Sequence, residues 1–126
     1  MRTVLNTNEA PAAIGPYVQA NRVGDLIITS GQLPVDPATG TMPATIEEQT
    51  AQSLRNIAAI LASAGAGMDK VVKTTVFLRD MNDFAAMNGV YAGFFPADSL
   101  PARSAVQVAR LPKDAGVEIE AIAYLG

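Results

Sequence analysis

The chain has 126 residues, with nine basic against twelve acidic for a net charge of −3, and contains neither cysteine nor histidine. That length suits one domain, residues 1–126, with one hydrophobic core. The missing cysteines exclude disulfides, thiolate nucleophiles and cysteine-type zinc sites, and the missing histidines exclude Ser-His-Asp triads, His-Glu-x-x-His zinc sites and an imidazole base.

Acid–base chemistry therefore falls to Asp, Glu, Lys, Tyr or bound water. A carboxylate-only metal site stays chemically open, but the sequence has no Asp-x-Asp-x-Asp-Gly loop, and no metal or organic cofactor is expected. The charges are scattered, which is poor material for gripping phosphates, so no nucleic-acid partner is expected. Met1-Arg2-Thr3-Val4-Leu5-Asn6 lacks the apolar stretch of a signal peptide. No apolar run approaches the ~20 residues that span a bilayer. The expected location is the cytoplasm, with no membrane partner.

In chain order, Tyr17–Val23 and Leu26–Ser30 read as a hairpin turning on Gly24-Asp25. Pro34–Gly40 is a loop by its Pro and Gly content. Thr45-Ile46-Glu47-Glu48 has the form of a capping box and opens a helix running to about Ala64. Ile46, Leu54, Ile57, Ile60 and Leu61 recur at helical spacing, and Gly65 is placed to end the helix. The β-branched run Val71–Arg79 is a strand. Asn82 or Asp83 can cap a second helix, whose stripe of Phe84, Met87, Tyr91, Phe94 and Phe95 is expected to be core, and Pro96 stops it. Arg103–Ala109 and Val117–Tyr124 close the chain as strands.

Two amphipathic helices need an apolar sheet face to cover. The expectation is an α+β fold, a two-layer sandwich of a mixed sheet with both helices on one face. Val117–Tyr124 carries apolar residues on both of its faces, so the uncovered side of the sheet is a candidate subunit interface.

Two features can carry chemistry. Arg103, Ala105 and Gln107 share one strand face, and an arginine among small residues can grip a carboxylate with its planar fork. The plainer reading is a surface arginine paired with Glu118 or Glu120 on the next strand. Glu118 and Glu120 share a face, and paired carboxylates can divide acid and base roles. For them the plainer reading is a solvated strand face or a structural ion pair. Gly15-Pro16-Tyr17 and Thr29-Ser30-Gly31-Gln32 are tight corners, and Gly31 could admit a ligand close to the backbone.

Longer segments add a resemblance. Ala10-Pro11-Ala12-Ala13-Ile14-Gly15-Pro16-Tyr17, Ile28-Thr29-Ser30-Gly31-Gln32 and Pro101-Ala102-Arg103-Ser104 resemble the hallmark segments of the RidA/YjgF family. Val71–Leu78, Ala109–Asp114 and Val117–Ala121 match it too, and the likeness covers nearly the whole chain. The chain looks closest to the subgroup that deaminates 2-aminoacrylate. The resemblance implies a chorismate-mutase-like fold and a homotrimer with helices outside and ligand clefts between subunits. It implies that Arg103 binds a substrate carboxylate and that Glu118 positions or activates water. Tyr17, Ser30, Gly31 and Asn88 would line the cleft. Many relatives have cysteine where this chain has Ala105, so that wall of the cleft lacks a thiol here. The activity implied is hydrolysis of 2-imino and 2-enamino acids to 2-keto acids and ammonia. Other readings are a non-catalytic metabolite-binding or chaperone-like trimer, and a ribonuclease or translation inhibitor, the last disfavoured by the acidic balance and absent histidine.

Overall fold

The computed structural model describes residues Met1–Gly126. The elements run β1 (Arg2–Leu5), β2 (Ala20–Val23), β3 (Leu26–Thr29), α1 (Ile46–Ala62), β4 (Val71–Leu78), α2 (Phe84–Tyr91), β5 (Ala102–Gln107) and β6 (Val117–Tyr124). The six strands form one sheet in the order β1-β2-β3-β6-β4-β5. Only β4 and β5 are parallel, and α2 makes the crossover between them that a parallel pair requires. The expected mixed α+β architecture is present.

The hairpin closes where Val23 pairs with Leu26, and Gly24 takes φ +58 in the turn. Its first strand begins at Ala20 rather than Tyr17. The Tyr17 amide donates to the Gly15 carbonyl at 2.8 Å, which bends the chain there instead of extending it. Strand β1 carries no signal in the sequence. It is an exposed edge strand with no buried alternation to betray it.

Thr45 caps α1 as its box predicts. Its hydroxyl accepts from the Glu48 amide and donates to the Glu48 carboxylate, both at 3.1 Å. Leu54, Ile57, Ile60 and Leu61 are fully buried beneath the helix. Gly65, at φ +74, takes the left-handed position beyond the last turn. The second helix is entered differently from the expectation. Asp83 does stand at the N-cap of α2, but its side chain makes no capping bond; Asp80 instead accepts from the Asn82 amide at 2.9 Å and caps a short 3₁₀ turn, Met81–Asp83, ahead of α2. The extra turn moves the capping position upstream.

Alternation along the central strands divides the sheet cleanly. Val117, Ile119, Ala121 and Ala123 of β6 are buried against the helices, while Glu118, Glu120, Ile122 and Tyr124 face the other way. That second face leaves Leu26, Ile28, Val72, Val106 and Tyr124 each 40–50% exposed.

Candidate active site in two halves

Glu118 opens the first half. It sits at the start of β6 and, with Tyr17, Ser30 and Gly31, lines a cavity of about 800 Å³. Gly31 is there for close approach. A Cβ built on it would lie 2.8 Å from Glu118 Oε2 and 2.9 Å from Cδ. No larger residue fits without moving the carboxylate. Burial, and secondarily repulsion from Glu120, hold the Glu118 pKa above the ordinary carboxylate value. Ser30 donates its hydroxyl proton to the Val18 carbonyl at 2.6 Å, so towards a ligand its oxygen is an acceptor. Glu120 is exposed on the same face and lines a separate shallow recess with Lys73 and Thr75. Strand periodicity could not separate the two glutamates, but the cavity does.

Two residues of this half escaped the sequence. Gln19 is buried, and its amide nitrogen donates to the carbonyls of Thr7, Ala10 and Pro11 at 3.0, 3.3 and 2.9 Å. Its oxygen accepts from the Thr7 amide at 2.8 Å. One side chain thus ties down the loop that walls the cavity. Lys113 lines the cavity from the opposite loop in a left-handed conformation, φ +58, followed by Asp114 at φ +54. Such conformations are uncommon for non-glycine residues. This loop is clamped by Arg110 Nε to Asp114 Oδ1 at 2.7 Å and by Arg79 Nη1 to the Asp114 carbonyl at 3.0 Å. Neither residue carries a sequence signal beyond lying in or beside a family segment.

Arg103 anchors the second half. It pairs in register with Thr74 of β4, whose own partner on β6 is the buried Ala121, so its side chain emerges on the helix face of the sheet. There Nη1 donates to Asn88 Oδ1 at 2.6 Å, and the guanidinium carbon lies 4.7 Å from the Tyr91 ring centroid and 5.4 Å from that of Phe84. Ala105, next along that face, is partly buried against the core. The neighbours of Arg103 are thus aromatic as well as small. Its expected ion pair with a glutamate is absent. The strand beside β5 is β4, not β6, and the chain's one salt bridge is Arg110–Asp114. Arg103 remains a half-buried cation with no carboxylate of its own chain beside it.

The two halves lie on opposite faces of the sheet. Glu118 pairs with Phe77, which pairs with the exposed Val106. Arg103, with its alternate register, points to the other side. Tyr17, Ser30, Gly31 and Glu118 come together in one cavity, and Asn88, Arg103 and Ala105 lie outside it. No group of three or more Asp or Glu side chains converges as a metal site would require. No helix is long and apolar enough to cross a membrane.

A mixed six-stranded sheet with two helices on one face, a glutamate-bearing cavity and an arginine without an ion-pair partner define a small α+β protein. Residues 7–125 match the family model described as Endoribonuclease L-PSP, and the chain belongs to that family, the RidA/YjgF family. It is 57% identical over 126 residues to a RutC family protein of Pasteurella multocida, covering 98% of both chains. It is 54% identical over 125 residues to the 2-iminobutanoate/2-iminopropanoate deaminase of Escherichia coli K12, again covering 98% of both. Among solved structures it is similar to E. coli TdcF with bound serine, at TM-score 0.94 and 48% identity, over 98% of this chain and 99% of that one.

Proposed function

We propose that this chain is an imine deaminase that hydrolyses 2-imino acids, and the enamines such as 2-aminoacrylate that tautomerise to them, to 2-keto acids and ammonia. The observation that carries the reading is Arg103, a half-buried guanidinium braced by Asn88 and two rings yet left without a counter-ion in its own chain. Such a cation is poised for a ligand carboxylate. The E. coli deaminase and the serine-bound TdcF support a small amino-acid-like ligand of this kind.

On this reading Arg103 holds the substrate carboxylate and so fixes C2. Water held by Glu118 attacks C2. Its proton passes to the carboxylate as the C–O bond forms, and the imine nitrogen takes up a proton. The carbinolamine then collapses. Glu118 gives its proton to the amine, the hydroxyl proton leaves to solvent in place of the one the imine took up, the C–N bond breaks, and ammonia departs from the new keto group. A carboxylate whose pKa is raised by burial is the better base for this work. The scheme calls for no metal or organic cofactor. Tyr17, Ser30, Gly31, Asn88 and Ala105 would line the cleft.

Arg103 and Glu118 cannot reach one ligand from opposite faces of one chain, so a neighbouring copy must complete the cleft. The exposed apolar sheet face gives it a surface to pack on, and we assign the assembly as a homotrimer acting in the cytoplasm. The family description names an endoribonuclease. A chain with net charge −3 and no histidine lacks both the phosphate grip and the usual base for that chemistry.

The test is direct. Pure protein is given 2-aminoacrylate generated in situ by a PLP-dependent dehydratase, and ammonia and pyruvate are followed. Accelerated formation of both, abolished in Arg103→Ala, is expected. No acceleration over buffer would leave a metabolite-binding protein, and cleavage of RNA in its place would restore the nuclease reading.

A further inference from the structure

The aromatic stripe that runs along α2 and the turn after it divides its labour. Met87, Tyr91 and Phe95 are buried in the core. Phe84, Asn88 and Tyr91 stand at positions i, i+4 and i+7, hence on one side of the helix, and all three touch Arg103. Tyr91 belongs to both sets. It is only 6% exposed, and its ring is the nearer of the two beneath the guanidinium. Its hydroxyl and Thr74 Oγ1 are hydrogen-bonded at 2.6 Å. Thr74 is the strand residue in register with Arg103 itself. The ring is therefore pinned from the backbone position adjacent to the arginine it supports.

We propose that Tyr91, locked by Thr74, is the positioning residue for Arg103, its ring setting the plane in which the guanidinium fork meets a substrate carboxylate. This rests on the reading of Arg103 as carboxylate anchor. A long, flexible side chain would otherwise spread its fork over many rotamers. The ring face attracts the cation and fixes its height, Asn88 takes one end of the fork, and Phe84 borders it. The remaining N–H groups are left in a fixed plane for a planar, two-oxygen ligand. An ammonium at position 103 would gain little from such a floor, because it has no plane to set.

The experiment measures binding of pyruvate, the stable keto-acid product, by calorimetry, alongside kcat and KM. Tyr91→Leu removes both floor and pin, Tyr91→Phe removes the pin alone, and Phe84→Leu removes the lesser ring. Tyr91→Leu should weaken pyruvate binding and kcat/KM by about 3- to 30-fold, the range of a partly desolvated cation–π contact. Tyr91→Phe should fall between it and the parent. In an Arg103→Ala background, titrated at high pyruvate, Tyr91→Leu should add nothing. A folded Tyr91→Leu protein that binds like the parent would overturn the proposal, as would an equal loss in the Arg103→Ala background, which marks a general structural role. Should Tyr91→Leu not fold, Phe84→Leu and Tyr91→Phe decide, and parental binding in both overturns it. Undiminished binding in Arg103→Ala would bring down the anchor reading and this one with it. Loss in Arg103→Ala with none in the ring variants brings down this one alone.

Discussion

Gly31→Ala separates the placement of Glu118 from the stability of the fold. Gly31 has no left-handed φ, so alanine suits the backbone there. Its new methyl would stand 2.9 Å from Glu118 Cδ and 2.8 Å from Oε2. Ordinary carbon contacts begin near ~3.5 Å, so the carboxyl carbon must retreat by about 0.6 Å or more, and the oxygens at its end by roughly 1 Å. The obstacle is the free end of a side chain beside an open cavity, which yields cheaply. Fewer unfolded conformations contribute about 0.4–1 kcal/mol in favour of alanine. Net stability should stay within about 1 kcal/mol of the parent. Turnover should not. A catalytic group moved by ~1 Å can cost about 100-fold. Steady-state kinetics on in-situ 2-aminoacrylate, beside thermal melts, reads both quantities. In the double variant with Glu118→Ala, Gly31→Ala should cost nothing further. Parental turnover in a folded Gly31→Ala protein would refute the idea that the position of Glu118 governs the chemistry.

Glu118→Gln should lower kcat strongly while leaving pyruvate binding through Arg103 near that of the parent; a parallel loss of binding would make Glu118 a support for the ligand rather than for water. Because burial and then Glu120 raise the Glu118 pKa, the base form is lost as pH falls through that raised value, and Glu120→Gln should move the acid limb of kcat/KM to lower pH. An acid limb unmoved in Glu120→Gln would show that this charge does not reach the reacting carboxylate. Light scattering at micromolar concentration should report three chains per particle. Inactive Arg103→Ala and Glu118→Gln chains, refolded together, should regain roughly a quarter of parental activity, the share of random clefts that combine one intact residue from each chain. No recovery in mixed particles would place the whole cleft within one chain.

Much of the fold was legible because local chemistry and tertiary packing agree in it. The Thr45–Glu48 box, the apolar stripe of α1, Gly65 and the Gly24 turn each state their role within a few residues. What was missed depends on partners far along the chain. Strand β1 has no buried face to impose alternation. The site divides in the same way. Motif resemblance marked Arg103, Glu118 and the corner at Ser30-Gly31. The strand order is not readable from the sequence, so an ion pair of Arg103 with Glu118 or Glu120 is a reasonable expectation. Placing β4 beside β5 and turning Arg103 to the helix face removes it. The aromatic stripe read as plain core because periodicity reports burial and says nothing of a cation lying on the buried rings. Gln19 gives no local sign of its clamp, since its three partner residues lie 8 to 12 residues away.

The separation of Arg103 from Glu118 is itself a chemical device on the proposed reading. Side by side in one chain, a guanidinium and a carboxylate collapse into an ion pair. That pair would neutralise both the substrate anchor and the base. On opposite faces of a six-stranded sheet they have no route to each other. Arg103 spends its contacts on neutral partners, an amide oxygen and two rings, which orient it without quenching its charge. Glu118 rests against Gly31, and the charge that shifts its pKa, that of Glu120, repels it. Each group therefore stays available. If a second copy brings them into one cleft, the substrate lies between them, with its carboxylate toward the arginine and its C2 toward the glutamate's water. An imine is already electrophilic, so holding it beside a placed water and a base of raised pKa is a sufficient demand. A chain of 126 residues without histidine, cysteine or a metal cluster can meet it.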